Sequence, residues 1–175
     1  MKTLAIFLLV TPCLCAQHIG FGIKAGVPFT DVFSLGSSNE TNRFTVGPMF
    51  ELRLPIVGIE LDALYHNVSY TPSTGSVSAG GGSWQFPITG KVRLPATPIL
   101  KPYGEAGVAF RTSPGVSGQP DKGFVLGAGI EIHAIILRIA PELRYTRWGG
   151  GSLSASTILK ANGNQFEFLV GFSSK

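Results

Sequence analysis

Beyond residue 15 the chain has no cysteine. Cys13 and Cys15 both fall in the opening stretch MKTLAIFLLVTPCLCAQ, where Lys2 precedes an apolar run from Leu4 to Val10, Pro12 breaks it and small residues lead to Ala16. That order predicts a signal peptide over 1–16, cut between Ala16 and Gln17, and a single domain over 17–175. An exported domain of this size often leans on disulfides. Without thiols it has neither a disulfide nor a cysteine metal ligand, so something else must hold it together. Long apolar runs are missing too. After the signal segment no stretch approaches the roughly 18 apolar residues of a spanning helix, which excludes one. Charge is scarce at 14% of residues, and the net charge of +4 is spread along the chain. No contiguous basic patch of the kind that nucleic acid requires is present.

Histidine is limited to His18, His66 and His133, which leaves little for metal or acid–base chemistry. Neither a metal nor a cofactor is expected. The glycine-rich run Gly80–Gly82 lacks the lysine and following helix of a phosphate loop, and reads as a loop tip. In Tyr65-His-Asn-Val-Ser69, His66 and Ser69 are three apart, so on a strand they point to opposite faces. A serine–histidine pair for lipid modification is therefore disfavoured.

What the chain does have is 44% hydrophobic residues, distributed with a period of two. Ile19, Phe21, Ile23, Ala25, Val27 and Phe29 alternate with His18, Gly20, Gly22, Lys24 and Gly26. Successive side chains of a strand face opposite ways, so such a segment is apolar on one side and small or charged on the other. Seven further segments repeat the pattern: 43–54, 59–66, 84–94, 105–111, 124–133, 137–146 and 165–172. Spacing at i, i+2 and i+4 would be smeared around a helix. Eight strands are predicted.

The links between them alternate in length. Long polar links run over Thr30–Asn42, Thr71–Gly82, Ser113–Asp121 and Gly149–Gly163, and short ones over Pro55–Val57, Pro95–Leu100 and His133–Ile135. Such alternation predicts an all-β, eight-stranded antiparallel up-and-down barrel with both termini at the short-turn end. Alternation by itself does not say which face is inside. The charges decide. Lys24, Glu51, Arg53, Glu60, Asp62, Lys91, Arg93, Glu105, Glu131, Arg138, Glu142, Arg144 and Glu167 all lie on the faces opposite the apolar stripes, while the long links hold few carboxylates. Mixed signs interleaved with glycine suit a closed lumen, in which each ion finds a partner, inside a wall that meets lipid. Aromatics near the strand ends, Phe29, Phe44, Trp84, Phe110, Tyr145 and Phe172, fit interfacial girdles.

The segments Gly22-Ile-Lys-Ala-Gly-Val-Pro-Phe-Thr-Asp31, Lys101-Pro-Tyr-Gly-Glu-Ala-Gly107 and Ala140-Pro-Glu-Leu-Arg-Tyr-Thr-Arg-Trp148 resemble the bacterial outer-membrane β-barrel domain proteins, small porin-like chains of OmpA/OmpX-type shape. The resemblance spans nearly all of residues 17–175. It implies outer-membrane localisation, a monomer, contact with outer-membrane lipid, and a final strand read by the outer-membrane assembly machinery. Gly163, Phe166, Phe168 and Phe172 match that assembly signal in part, with Ser173, Ser174 and Lys175 following the last aromatic. Lys122, Arg147 and Lys160 lie near the long links, where lipopolysaccharide would be the anionic partner. The expected role is non-enzymatic, structural or surface-interacting through the long loops, with at most a narrow low-conductance pore. Two other readings stay open: a soluble periplasmic lipocalin-like carrier, with the apolar stripe inside, and a lipid-modifying enzyme dependent on His66.

Overall fold

The computed structural model describes residues 18–29, 33–35, 39–71, 79–95, 97–112, 122–134, 136–149, 159–161 and 163–174. The expected cleavage site and most of the long links lie outside these residues. The strands in chain order are β1 (His18–Pro28), β2 (Phe33–Leu35), β3 (Asn39–Arg53), β4 (Val57–Asp62), β5 (Leu64–Thr71), β6 (Ala79–Arg93), β7 (Leu100–Thr112), β8 (Lys122–His133), β9 (Leu137–Trp148), β10 (Leu159–Ala161) and β11 (Asn164–Ser174). β4 and β5 form one barrel strand broken at Ala63. The register with β3 is continuous across the break, from Met49 opposite Asp62 to Val46 opposite Tyr65. The residue facing Ala63 is Pro48, which accepts a hydrogen bond from the Ala63 N–H at 3.0 Å but has no N–H to return.

Among the described residues this makes eight barrel strands, each antiparallel to its neighbours in sequence. β1 pairs with β3 on one side and with β11 on the other, which closes the cylinder. Closure leaves no edge on the barrel sheet, so each barrel strand is hydrogen-bonded to a neighbour on both sides. The short turns are tight: Leu54 N–H donates to the Val57 carbonyl at 2.9 Å and Ala134 N–H to the Leu137 carbonyl at 2.9 Å. The start of β1 and the end of β11 both lie at this turn end, with Gly22 opposite Ser173.

The ladders extend further toward the loop end than alternation suggested. Asn39 pairs with Thr71, and Gly80 to Gly82 pair with Ser69 to Asn67 inside β6. The glycine run is therefore a strand end and not a loop tip. Ladder bonds need only backbone groups, so a segment without an apolar face can continue a strand once its neighbour is fixed. β2 and β10, within two of the long links, add a small antiparallel ladder of their own.

Side-chain direction follows parity throughout. The outer wall carries Ile19, Phe21, Ile59, Ile88, Val108, Leu126, Leu143 and Phe168, all exposed, while the buried set is dominated by polar and charged residues. Apolar side chains out and ions in is the reverse of a water-soluble barrel with an apolar pocket.

Candidate functional site

The lumen is filled by three tiers of polar side chains. At the turn end, Glu51 is fully buried and accepts from Arg53 Nε at 3.0 Å and from the guanidiniums of Arg93 and Arg138. Glu131 Oε1 accepts from Arg93 Nε and from Arg138 Nη1, each at 2.9 Å. Arg53 and Arg138 also donate to Ser173 Oγ, at 3.1 and 3.0 Å, which ties β3 and β9 to the last strand. His133 Nε2 lies 3.4 Å from Glu131 Oε2.

In the middle tier three cations share four carboxylates. Lys24 Nζ lies 2.5 Å from Glu60, 3.1 Å from Asp62 and 3.2 Å from Glu142. Lys91 Nζ donates to Glu60 Oε2 at 2.7 Å. The Arg144 guanidinium spans Asp62 and Glu105, both at 3.0 Å, and Glu142 at 2.8 Å. These residues come from β1, β4, β6, β7 and β9, so the tier bridges across the bore as well as along the wall. Glycine makes room for it. A Cβ at Gly127 would stand 2.6 Å from Glu105 Oε1, and one at Gly129 would stand 2.6 Å from the Tyr103 ring. Glu60, Glu105 and Glu142 bring carboxylate oxygens within 4.8 Å of one another, a spacing that a metal ion could bridge. Lys24, Lys91 and Arg144 already occupy those oxygens, so the chain's own cations hold the cluster.

The loop-end tier is less charged. His66 Nε2 lies 2.6 Å from Glu167 Oε1, which also accepts from Thr45 Oγ1 at 3.2 Å. Gln165 Oε1 accepts from Gln85 Nε2 at 3.1 Å and from Trp148 Nε1 at 2.9 Å. The Arg111 guanidinium stacks over the Trp148 ring, 4.1 Å from its centroid.

All thirteen charged residues picked out by parity point into this lumen, with Arg53 only partly covered at the turn-end mouth. Four further residues share the inward faces but were not among those thirteen. Arg111 shares their face and joins the six bases among them, against the seven acids Glu51, Glu60, Asp62, Glu105, Glu131, Glu142 and Glu167; Lys101, half-buried and opposite Glu131 at the turn end, has the same parity. Tyr103 turns inward and donates to Glu142 Oε2 at 2.7 Å, under Lys91 at 4.4 Å from its ring centroid. Trp148 and Gln165 lie in the loop-end tier. Each has the parity of an inward neighbour (Glu105, Arg144 or Glu167), and that was the available signal; an aromatic reads as wall until its parity is counted. His66 is buried, paired with Glu167 and far along the bore from His133, so the two histidines do not converge. Of Ser69 and Lys160 the structure describes only the backbone, in β5 and β10.

The final-strand residues fall on the outer side. Phe166 and Phe168 are exposed, Phe172 is half-buried, and Gly163 accepts a hydrogen bond from Trp148 N–H at 2.8 Å just before β11 begins. The Tyr145 and Phe166 rings meet at 4.7 Å and those of Tyr65 and Trp84 at 5.3 Å, part of an aromatic belt near the loop end. Phe21 and Phe50 meet at 5.1 Å near the turn end.

No protein-family model matches the chain. No curated protein matches it in sequence. Solved structures do match in shape. The chain is similar to the outer membrane protein OprG from Pseudomonas aeruginosa, with a TM-score of 0.59 at 15% identity over 90% of this chain and 94% of that one. It is similar to Neisserial surface protein A (NspA), with a TM-score of 0.59 at 13% identity over 91% and 98% of the two chains. The N-terminal β-barrel domain of Pseudomonas aeruginosa OprF gives a TM-score of 0.53 at 14% identity over 91% and 96%. At these identities the likeness establishes the fold, and with the closed ladder it makes this chain an eight-stranded antiparallel β-barrel of the bacterial outer-membrane type.

Proposed function

We propose that the chain is a non-enzymatic resident of the outer membrane, a rigid mount whose long links carry its contacts with surfaces or partners. The observation that carries this reading is the inverted wall: apolar side chains outside, balanced ions inside. Exposed apolar residues on every barrel strand would be costly in water and are favourable in hydrocarbon. The lumen is occupied by side chains of both signs from nearly every strand, which supports a plugged barrel over a conducting one. Narrow leakage past the tiers is the most conduction this packing would allow. A lipocalin-like carrier would need the apolar stripe inside, where the charges lie. A His66-dependent enzyme would need lipid to reach a side chain sealed in the bore by Glu167, Thr45 and Gln165.

Delivery to the membrane rests, in this reading, on the last strand. Gly163, Phe166, Phe168 and Phe172 are proposed as the signal for the assembly machinery, and their outward aromatics are open to a partner before the barrel closes. The test is electrophoresis of the outer-membrane fraction with and without boiling, followed by planar-bilayer recording on the purified protein. A heat-dependent shift in that fraction, with no steady large conductance, is the expected result. A soluble protein without the shift would overturn the membrane reading, and a large ohmic conductance would overturn the plugged lumen.

A further inference from the structure

Of the side chains described on the outer wall, two are charged, Lys122 and Arg147, and both are positive. They lie at the loop end on the neighbouring strands β8 and β9. Phe124 is opposite Arg147 and Gly123 opposite Trp148, so Lys122 and Arg147 sit diagonally across the ladder. That spacing brings two long side chains to one ligand. The seven carboxylates whose side chains are described all point inward, so among the described side chains the pair faces no acid on its own wall.

Beneath the pair the wall is indented. One cavity of about 350 Å³ is lined by Lys122, Phe124 and Arg147. A second, of about 360 Å³, lies farther down the wall between Leu126, Ala128, Leu143 and Tyr145 of the same two strands and Phe166 of β11. Ala128 is the small outward residue of β8 between Leu126 and Ile130, and it deepens the groove. From Lys122 to Ala128 the strand rises about 20 Å, a large part of the hydrocarbon thickness. A cationic mouth above apolar hollows matches a lipid with an anionic head and an acyl tail, not a free anion.

We propose that this β8–β9 groove binds one phosphate-bearing lipid of the leaflet on the loop side. Lys122 and Arg147 take a headgroup phosphate, and an acyl chain lies along Leu126, Ala128 and Leu143. The guanidinium of Arg147 suits two phosphate oxygens at once, and the Lys122 stem can run along the wall while its ammonium reaches the interface. The inference rests on the membrane reading above and adds the ligand class and its place.

The test uses the full mature barrel in detergent micelles, with lipid A as the bisphosphorylated probe and its dephosphorylated form as the control. Bound lipid is read by native mass spectrometry as free lipid is diluted. One phosphorylated lipid per barrel is expected, with retention falling roughly tenfold to thirtyfold in K122A/R147A. A128F, which fills the trough and leaves both cations, should lose retention as well. Unchanged retention in the double variant, equal binding of the dephosphorylated form, or full competition by inorganic phosphate would each overturn the proposal. Heat-dependent migration is recorded for every sample. A folded, membrane-partitioning wild type that retains no lipid sinks this inference alone, whereas a wild type without the shift sinks the membrane reading beneath it. If K122A/R147A does not fold, A128F and R147Q carry the same comparison.

Discussion

Glu51 receives three guanidinium groups while fully buried, and no other described carboxylate takes as many. Removing its charge strands Arg93 and Arg138 with half of their compensation. Breaking a buried pair from one side costs about 3–5 kcal/mol, because the remaining ion stays desolvated. E51Q is therefore expected to lower the unfolding free energy by that order, read as a shift of the urea midpoint of the refolded barrel. R53A, at the mouth and partly solvated, is expected to cost about 1 kcal/mol or less. Similar losses in the two variants would mean that the turn-end tier is wetter than its burial implies. At this scale the sequence was readable wherever parity met charge: alternation alone puts Lys24, Glu60 and Arg144 on the inward face. Their partners were not readable, because parity names a face and says nothing of which inward residues from distant strands meet across the bore. Arg144 meeting Asp62, eighty-two residues away, is of that kind.

The strand is the scale at which alternation becomes a physical constraint. A slip of one residue would carry every ion of a strand into the wall and every apolar residue into the lumen, so register is strongly specified wherever both faces are committed. β6 shows the commitment well, with Trp84, Phe86, Ile88 and Val92 outside and Gln85, Thr89, Lys91 and Arg93 inside. Ile88 lies midway between the aromatic Trp84 and the turn-end Val92, opposite Val108 on β7. An arginine there meets hydrocarbon near its centre, at a cost of about 2–4 kcal/mol. I88R is expected to lower folding yield into lipid vesicles by that much, whereas T112R, at the loop rim, is expected to fold nearly as the parent does. Equal tolerance at both depths would contradict a hydrocarbon-facing wall. Strand cores were legible because they alternate; the extensions over Asn39–Asn42 and Ala79–Ser83 were not, since their pairing is a backbone matter that side-chain pattern does not record.

For the whole molecule, closure makes the starting point of the chain arbitrary. β1 and β11 are neighbours, and β1 starts and β11 ends at the turn end. A circular permutant that joins them through a short linker and opens the chain at Pro55–Ile56 keeps every ladder. It is expected to refold in detergent with heat-dependent migration intact. Failure to refold would show that chain order, beyond strand adjacency, is needed to close the barrel. The sequence announced this architecture through long-short alternation of its links, and the order β1-β11-β9-β8-β7-β6 around the sheet is what that alternation implies. The small β2–β10 ladder was hidden, because it joins two links that are far apart in sequence and adjacent only once the barrel is closed.

The pairing of acids with bases in the lumen has a consequence for how such a chain can diverge. A wall residue can be exchanged for another apolar residue alone, since lipid is an indifferent partner. An interior ion cannot change alone, because its loss leaves a stranded opposite charge several strands away. Substitutions in the bore therefore have to arrive as matched pairs, one acid with one base, often from segments with no proximity in sequence. A barrel built this way would keep its shape while the identity between relatives falls very low, with the wall drifting freely and the bore changing in rare coupled steps.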